Sequence, residues 1–134
     1  MPFELNIVTP QGQAFAGPVD GIVLPGSEGE FGVLPNHERF LTPLATGEVE
    51  ITTGDGTVYA AIAGGFAEVQ GDQVAVLVES CELAADIDVA RAERARVRAE
   101  EGLAATDADA ERARFEQFEA ALARAKNRLE VGGR

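Results

Sequence analysis

Residues 66–98 read FAEVQGDQVAVLVESCELAADIDVARAERARVR, and the hydrophobic period changes within this stretch. Apolar and polar residues alternate on both sides of Gly71-Asp72, which is typical of two half-buried strands joined by a tight turn. From residue 86 onward the sequence is rich in Ala, Arg and Glu, which favour helix. The stretch therefore predicts that strands give way to helices near residue 85.

The part before residue 86 reads as further short strands. FELNIV at 3–8 alternates apolar and polar residues, VDGIVLP at 19–25 is a short apolar run, and 47–63 gives two runs around Asp55-Gly56. Runs of this kind, separated by turn residues and without helical periodicity, favour an antiparallel sandwich or flattened barrel. We therefore predict an all-β sandwich or flattened-barrel domain over residues 1–85.

Residues 86–134 predict an α-helical antiparallel hairpin. Its first helix covers 88–104, and its second runs to about Glu130 before the glycines at 132 and 133. Short polar side chains are the expected N-caps, which are Asp86 or Asp88 for the first helix and Thr106, Asp107 or Asp109 for the second. The interruption between the helices is thus the stretch TDAD at 106–109.

The two helices carry apolar seams that match in size. Large residues of the second helix, at steps of three and four, face mostly small residues of the first: Phe115, Phe118, Leu122, Ala125 and Leu129 against Ala92, Ala95, Ala99 and Leu103. Each large side chain stabilises the fold by about 1.5 to 3 kcal/mol when it is buried. Ordering the backbone costs about 1 to 2 kcal/mol of conformational entropy for each residue. Gly102 lies inside the first helix, where glycine destabilises the helix by about 1 kcal/mol relative to alanine. We therefore predict a weakly held hairpin suited to a switch, with permanent docking on the sheet as an equally open alternative.

Charge and cysteine content exclude several classes of protein. The chain has a net charge of −12, and residues 1–85 carry one cation against twelve carboxylates. Repulsion from phosphate makes nucleic acid and anionic membrane surfaces poor partners. The single cysteine, Cys81, excludes an intrachain disulfide and a cysteine-built zinc site, and one histidine excludes a multi-histidine metal site. We expect a cytoplasmic protein without direct membrane insertion.

Several arginines lack a local partner. Arg94 has no carboxylate three or four residues away, and neither does Arg124 or Arg128. A guanidinium binds carboxylate or phosphate through two hydrogen bonds. An antiparallel hairpin would bring these side chains together with Arg91 and Arg98 around an anion. Five solvated arginines are an equally open interpretation.

The ordered motifs resemble those of one family. Ile87-Asp88-Val89-Ala90-Arg91-Ala92 resembles the I/L-D-x-x-R-A motif of epsilon subunits of bacterial F-type ATP synthase, and GSEGEFGVLPNH at 26–37, AGGFAEVQGDQVAVL at 63–77 and RAKNRLEV at 124–131 extend the resemblance over nearly the whole chain. The resemblance implies a non-catalytic rotor subunit of the central stalk, peripheral on the cytoplasmic side of the bacterial inner membrane. Its implied partners are the gamma subunit and the c-ring for the sandwich. The helical tail, when extended, would reach the alpha and beta catalytic subunits and restrain ATP hydrolysis.

The same resemblance implies two sets of contact residues. No cofactor is required, but ATP is an implied regulatory ligand, with the adenosine near Glu82, Ile87, Asp88, Arg91 and Ala92 and the phosphates near Arg98, Arg124 and Arg128. The implied contacts with the c-ring or gamma are Ser27, Glu28, Gly29, Glu30 and His37. From the residues alone, this second segment is most simply an acidic surface loop.

The residues also bear on two other classes of function. An enzyme is disfavoured because two serines, one cysteine and one histidine offer few nucleophiles, and Cys81 at the end of an apolar strand reads as a buried, inert thiol. Glu28 and Glu30 could form the pair of carboxylates that glycoside hydrolysis uses, but they lie in a glycine-rich loop that would not hold them rigidly. The remaining alternative is a free-standing ATP- or anion-sensing sandwich protein without attachment to a rotor.

Overall fold

A computed structural model describes residues 2–35 and 38–134. Within them the strands are β1 (Phe3–Thr9), β2 (Gly12–Val19), β3 (Gly21–Gly26), β4 (Gly29–Val33), β5 (Phe40–Leu44), β6 (Gly47–Thr53), β7 (Gly56–Gln70) and β8 (Gln73–Leu83). A single 3-10 turn, Ala84–Asp86, leads to the helices α1 (Val89–Ala105) and α2 (Arg112–Gly132). The predicted order, a β-sandwich followed by a helical hairpin, is confirmed.

The strands pair in the order β2-β1-β8-β7-β5-β3-β4, and β6 joins β3 to β7. Alternate residues of β1 point into the core, so that Phe3, Leu5 and Ile7 are buried while the residues between them are exposed. Side chains from the other strands complete this interior, including Leu24, Ile51, Ile62 and Val76. The period-two pattern at 3–8 therefore predicted the buried face of this strand correctly.

The longest strand, β7, belongs to both layers of the sandwich. Its first part pairs with β6 and its second part with β5, while β8 follows it along the other edge. Gly64 has no partner in the β7–β8 register, and Gly65 has a φ of 152°. A Cβ at Gly65 would lie 1.9 Å from the carbonyl oxygen of Leu77, so only glycine fits where the two backbones approach this closely. The sequence predicted two separate runs, one ending at 63 and the next beginning at 66, whereas the strand continues through both glycines.

The sheet differs from the prediction in two further respects. β1 and β8 pair in parallel, from Glu4 with Gln73 to Val8 with Leu77, whereas an antiparallel sandwich was expected. No hairpin joins these two strands, so no turn imposes the antiparallel direction. The segment at 26–37 was interpreted as a loop, but it contains β4, which pairs with β3 across a turn at Ser27 and Glu28.

Asp88 caps α1 by accepting a hydrogen bond from the Arg91 N–H to its Oδ1 (3.0 Å), as predicted. The predicted start of α2 is wrong. The side chain of Asp107 instead accepts hydrogen bonds from the N–H groups of Asp109 (2.8 Å) and Ala110 (3.0 Å) in a turn before the helix. The chain needs this additional turn to reverse direction, so α2 begins only at Arg112 and the Glu111 side chain before it forms no cap.

The hairpin packs along the predicted seam. Ala92, Ala99 and Ala125 are buried, and the larger seam residues are half-buried. Gly102 lies against the ring of Phe118, where a Cβ would come within 2.3 Å of Phe118 Cε1. This glycine therefore leaves the space that the Phe118 ring occupies between the helices, and it is not only a defect in α1.

The C-terminal end of α2 attaches the hairpin to the sandwich. The side chain of Val131 is fully buried and packs with Ala61 and Ile87. Asn127 Nδ2 donates to the Gly47 carbonyl (2.8 Å), which adds a polar contact with β6. The structure thus has the hairpin folded down, with α2 against β6 and β7.

Candidate functional site

A cleft of about 400 Å³ lies where the sandwich, the 3-10 turn and the two helices meet. Residues from β8, the turn, α1 and α2 line it: Glu82, Asp86, Asp88, Arg91, Ala92, Ala95, Arg98 and Arg128. It thus combines carboxylates and guanidiniums with a floor of small side chains. Such a lining suits a ligand that has both hydrogen-bond donors and anionic groups.

Local helix geometry explains the α1 side of the cleft. The Asp88 cap begins the helix so that Arg91 lies in its first turn. Positions three, four and seven residues apart share a helix face, which aligns Arg91 with Ala95 and Arg98. Ala92 is buried beside them, and its small side chain leaves the space open.

One ion pair crosses the cleft between the sandwich and the hairpin. Arg128 Nε of α2 donates to Glu82 Oε1 of β8, and both side chains are partly buried. Sequence spacing showed no partner for Arg128, because Glu82 is 46 residues away along the chain. The pair holds a guanidinium at the wall of the cleft and adds to the attachment of α2.

The structure gathers most residues of the predicted ATP set. Six of them line the cleft, namely Glu82, Asp88, Arg91, Ala92, Arg98 and Arg128. Ile87 lies below it in the contact with Val131, and Arg124 lies at a separate small gap between α2 and the sheet, beside Ser80 and Asn127. Asp86 and Ala95 also line the cleft but were not predicted to do so. Ala95 follows from the helical period, being four residues after Arg91, whereas nothing in the spacing marks Asp86.

The predicted contacts with the c-ring or gamma lie at the β3–β4 hairpin. Ser27 and Glu28 form its turn, and Gly29 and Glu30 begin β4; all four are exposed. They border a shallow depression of about 390 Å³ together with Thr42 and Pro43. His37 lies outside the described residues.

A second exposed surface, which the sequence did not single out, crosses four strands. Val8, Leu77, Phe66 and Pro43 are consecutive partners on β1, β8, β7 and β5, and we call them the apolar row. Phe66 and Leu77 are 52% and 51% exposed. Both alternate with the buried residues of their strands, which is the sequence signal that identifies them. An apolar surface of this kind on a folded chain marks an interaction site.

Cys81 was predicted to be a buried, inert thiol. It is half-buried, and burial, with a smaller contribution from the charge of Glu82, raises the pKa of the thiol to about 11. The thiolate is the nucleophilic form, so this group is mostly unreactive near neutral pH. Among residues 2–35 and 38–134, no group of three or more His, Cys, Asp or Glu side chains could hold a metal ion.

Comparison with known families divides the chain at the same change of period. Residues 2–84 match the model described as "ATP synthase, Delta/Epsilon chain, beta-sandwich domain", and residues 85–133 match "ATP synthase, Delta/Epsilon chain, long alpha-helix domain". The ATP synthase epsilon chain of Halalkalibacterium halodurans is 44% identical over 98% of this chain and 97% of its own length. That of Syntrophobacter fumaroxidans is 48% identical over 96% and 93%.

Solved structures agree with this assignment. A chain in the mitochondrial ATP synthase of Euglena gracilis, in its OSCP/F1/c-ring assembly, matches with a TM-score of 0.83 and 26% identity over 99% of this chain and 82% of its own. In the part of the chain that the structure describes, neither helix is long and apolar enough to cross a membrane. Together with the family models, these similarities confirm the resemblance seen in the motifs. The chain therefore belongs to the ATP synthase delta/epsilon chain family, whose epsilon members are non-catalytic subunits of the central stalk of F-type ATP synthase.

Proposed function

We propose that this chain joins the gamma subunit to the c-ring in the central stalk, peripheral on the cytoplasmic side of the bacterial inner membrane. The observation that carries the proposal is the apolar row. The helical hairpin, through α2, docks on β6 and the adjoining part of β7, and it leaves Phe66 and Leu77 exposed. A permanent partner that covers the row would remove this apolar surface from water, which is the main driving force of stable interfaces.

The acidic β3–β4 hairpin suits the c-ring. Glu28 and Glu30 project from a sandwich sequence in which twelve carboxylates outnumber one cation. Cationic loops of a partner would be attracted to this hairpin, and such complementarity speeds assembly and fixes orientation. Ser27 and Gly29 lie in the same exposed turn region and complete the proposed contact.

The proposed stalk role is tested by co-purification. Leu77→Glu places a charge in the apolar row, and Gln73→Glu adds the same charge four residues earlier on the same strand and face. We expect Leu77→Glu to reduce the recovery of gamma with the tagged chain by about tenfold or more, and Gln73→Glu to leave recovery unchanged. If the wild-type chain is recovered alone and binds an anion, the free-standing sensor is correct instead.

The cleft supports a second, regulatory role in which ATP is bound and not hydrolysed. Arg91, Arg98 and Arg128 offer guanidiniums to the phosphates, and Ala92 leaves room for a ring. The sequence has no phosphate-binding loop of the Walker type, so no hydrolysis is expected. The lining comes from both domains, so a bound nucleotide would favour the folded-down hairpin. An extended hairpin would then contact the alpha and beta subunits and restrain hydrolysis.

Calorimetric titration of the intact chain with ATP tests this second role. Arg91→Ala should weaken binding by about tenfold or more, since it removes a charged hydrogen-bonding group from the cleft. Arg94→Ala is the matched control, because Arg94 is an exposed arginine on the same helix that does not line the cleft. Equal affinity of wild type and Arg91→Ala, or no binding to either, would contradict a nucleotide site here.

A further inference from the structure

The cleft between the sandwich and the hairpin has a balanced charge. Three carboxylates, from Glu82, Asp86 and Asp88, stand against three guanidiniums, from Arg91, Arg98 and Arg128. A phosphate-bearing ligand is attracted by one group and repelled by the other. The affinity of the cleft for such a ligand thus depends on how far each carboxylate is already neutralised by the protein.

Two of the three carboxylates have partners. Glu82 accepts from the guanidinium of Arg128, and Asp88 accepts from the backbone N–H of Arg91 as the cap of α1. Asp86, at the end of the 3-10 turn, is exposed and has no hydrogen bond or ion pair to any residue that the structure describes. Of the three carboxylates, Asp86 is therefore the one whose negative charge faces a ligand in the cleft without a partner in the protein to offset it.

We propose that Asp86 sets the affinity of the cleft by repelling the phosphates of its ligand. The inference rests on the nucleotide site proposed above and names a residue that regulates it. In a central-stalk subunit, a carboxylate of this kind raises the concentration at which the cleft fills. The site then responds when nucleotide is abundant and stays empty when it is scarce.

A different role for Asp86 makes the opposite prediction. A carboxylate accepts hydrogen bonds, so Asp86 could hold an amino or hydroxyl group of the nucleoside. In that case its neutralisation would weaken the binding of ATP. Inorganic tripolyphosphate has the same phosphates but no nucleoside, so it separates repulsion from hydrogen bonding.

The test is calorimetric titration of the full chain with ATP and with tripolyphosphate at low and high salt. Asp86→Asn should bind both ligands about three- to tenfold more tightly than wild type at low salt, and the gain should shrink at high salt. Asp86→Glu keeps the charge and should resemble wild type. Asp109→Asn, in the turn at the other end of the 17-residue α1, removes an equal charge about 25 Å away and should also resemble wild type.

The outcomes separate this inference from the nucleotide site itself. Equal or weaker binding of either ligand by Asp86→Asn overturns the inference, and if wild type binds ATP the site stands. Tighter binding by Asp109→Asn of the same size also overturns it, because the effect would then come from net charge. If Asp86→Asn binds the two ligands and wild type binds neither, the repulsion of phosphate by Asp86 is supported. The proposal that the natural chain senses nucleotide is then contradicted. No binding of either ligand to any variant overturns both.

Discussion

Phe118 of α2 packs on the backbone of Gly102 in α1, where a Cβ would come within 2.3 Å of the ring. Two effects therefore oppose each other in Gly102→Ala. Alanine stabilises an isolated helix by about 1 kcal/mol relative to glycine, but overpacking at a close contact costs about 1 to 3 kcal/mol. We expect overpacking to dominate, because three ring atoms lie within 2.6 Å of the added carbon. Thermal unfolding followed by helical circular dichroism measures the net loss of stability.

Phe118→Ala provides the control for Gly102→Ala. Without the ring, Gly102→Ala should become stabilising by up to about 1 kcal/mol, since only helix propensity remains. If Gly102→Ala changes stability in the same direction in wild type and in Phe118→Ala, the contact with the Phe118 ring does not determine the effect.

The second prediction concerns Val131, whose side chain is fully buried between α2 and the sandwich. Val131→Ala removes two methyl groups and should destabilise the docked hairpin by about 1 to 3 kcal/mol through lost burial and a cavity. Hydrogen exchange should therefore accelerate in α2 while the sandwich keeps its protection. Val97→Ala, at a 39% exposed position on α1, is the matched control and should leave exchange nearly unchanged. Equal exchange in both variants would exclude Val131 as the anchor.

The third prediction concerns Arg134, which lies beyond the end of α2. Its Nε donates to Glu48 Oε2 (2.7 Å) and its second terminal nitrogen to Glu48 Oε1 (2.9 Å), and its guanidinium lies 5.2 Å from the centre of the Tyr59 ring. Arg134→Gln should accelerate exchange of the last-turn amides of α2 at low salt, and added salt should reduce the difference from wild type. Arg114→Gln removes an exposed arginine near the start of α2 and should not affect that turn.

The fourth prediction uses the raised pKa of Cys81, about 11 in the folded chain against 9.0 for an ordinary thiol. At pH 8 the thiolate fraction, and thus the rate of reaction with a disulfide reagent, should be about 100-fold lower than for an unfolded chain. The folded state binds more protons between these two values, so stability should fall as pH rises from about 9 to 11. Cys81→Ala should remove this dependence, and rapid reaction of the native chain at pH 8 would contradict the raised pKa.

The fold was predictable where a local signal existed. The alternation of β1, the turn at Gly71-Asp72 and the Asp88 cap each depend on neighbouring residues alone. The parallel pairing of β1 with β8 depends on residues far apart in the chain, so no local pattern indicated it. β5 was missed because proline reads as a breaker, although Pro43 fits a strand that donates no hydrogen bond at that position.

The site divides in the same way. The alignment of Arg91 with Arg98 follows from helical period, so the α1 wall of the cleft was accessible from sequence. The pairing of Arg128 with Glu82 depends on how α2 docks on the sandwich, and the position of Asp86 in the lining depends on the 3-10 turn. The apolar row likewise appears only when β1, β8, β7 and β5 are placed side by side.

The membership of β7 in both layers has a mechanical consequence. Two sheets held only by side chains can slide past each other under load, because dispersion contacts have little directional resistance. Here the backbone of Gly56–Gln70 runs without interruption from the pairing with β6 to the pairing with β5. Shear between the layers would have to break ladder hydrogen bonds or stretch covalent bonds. The domain should therefore resist shear between its layers as one stiff body.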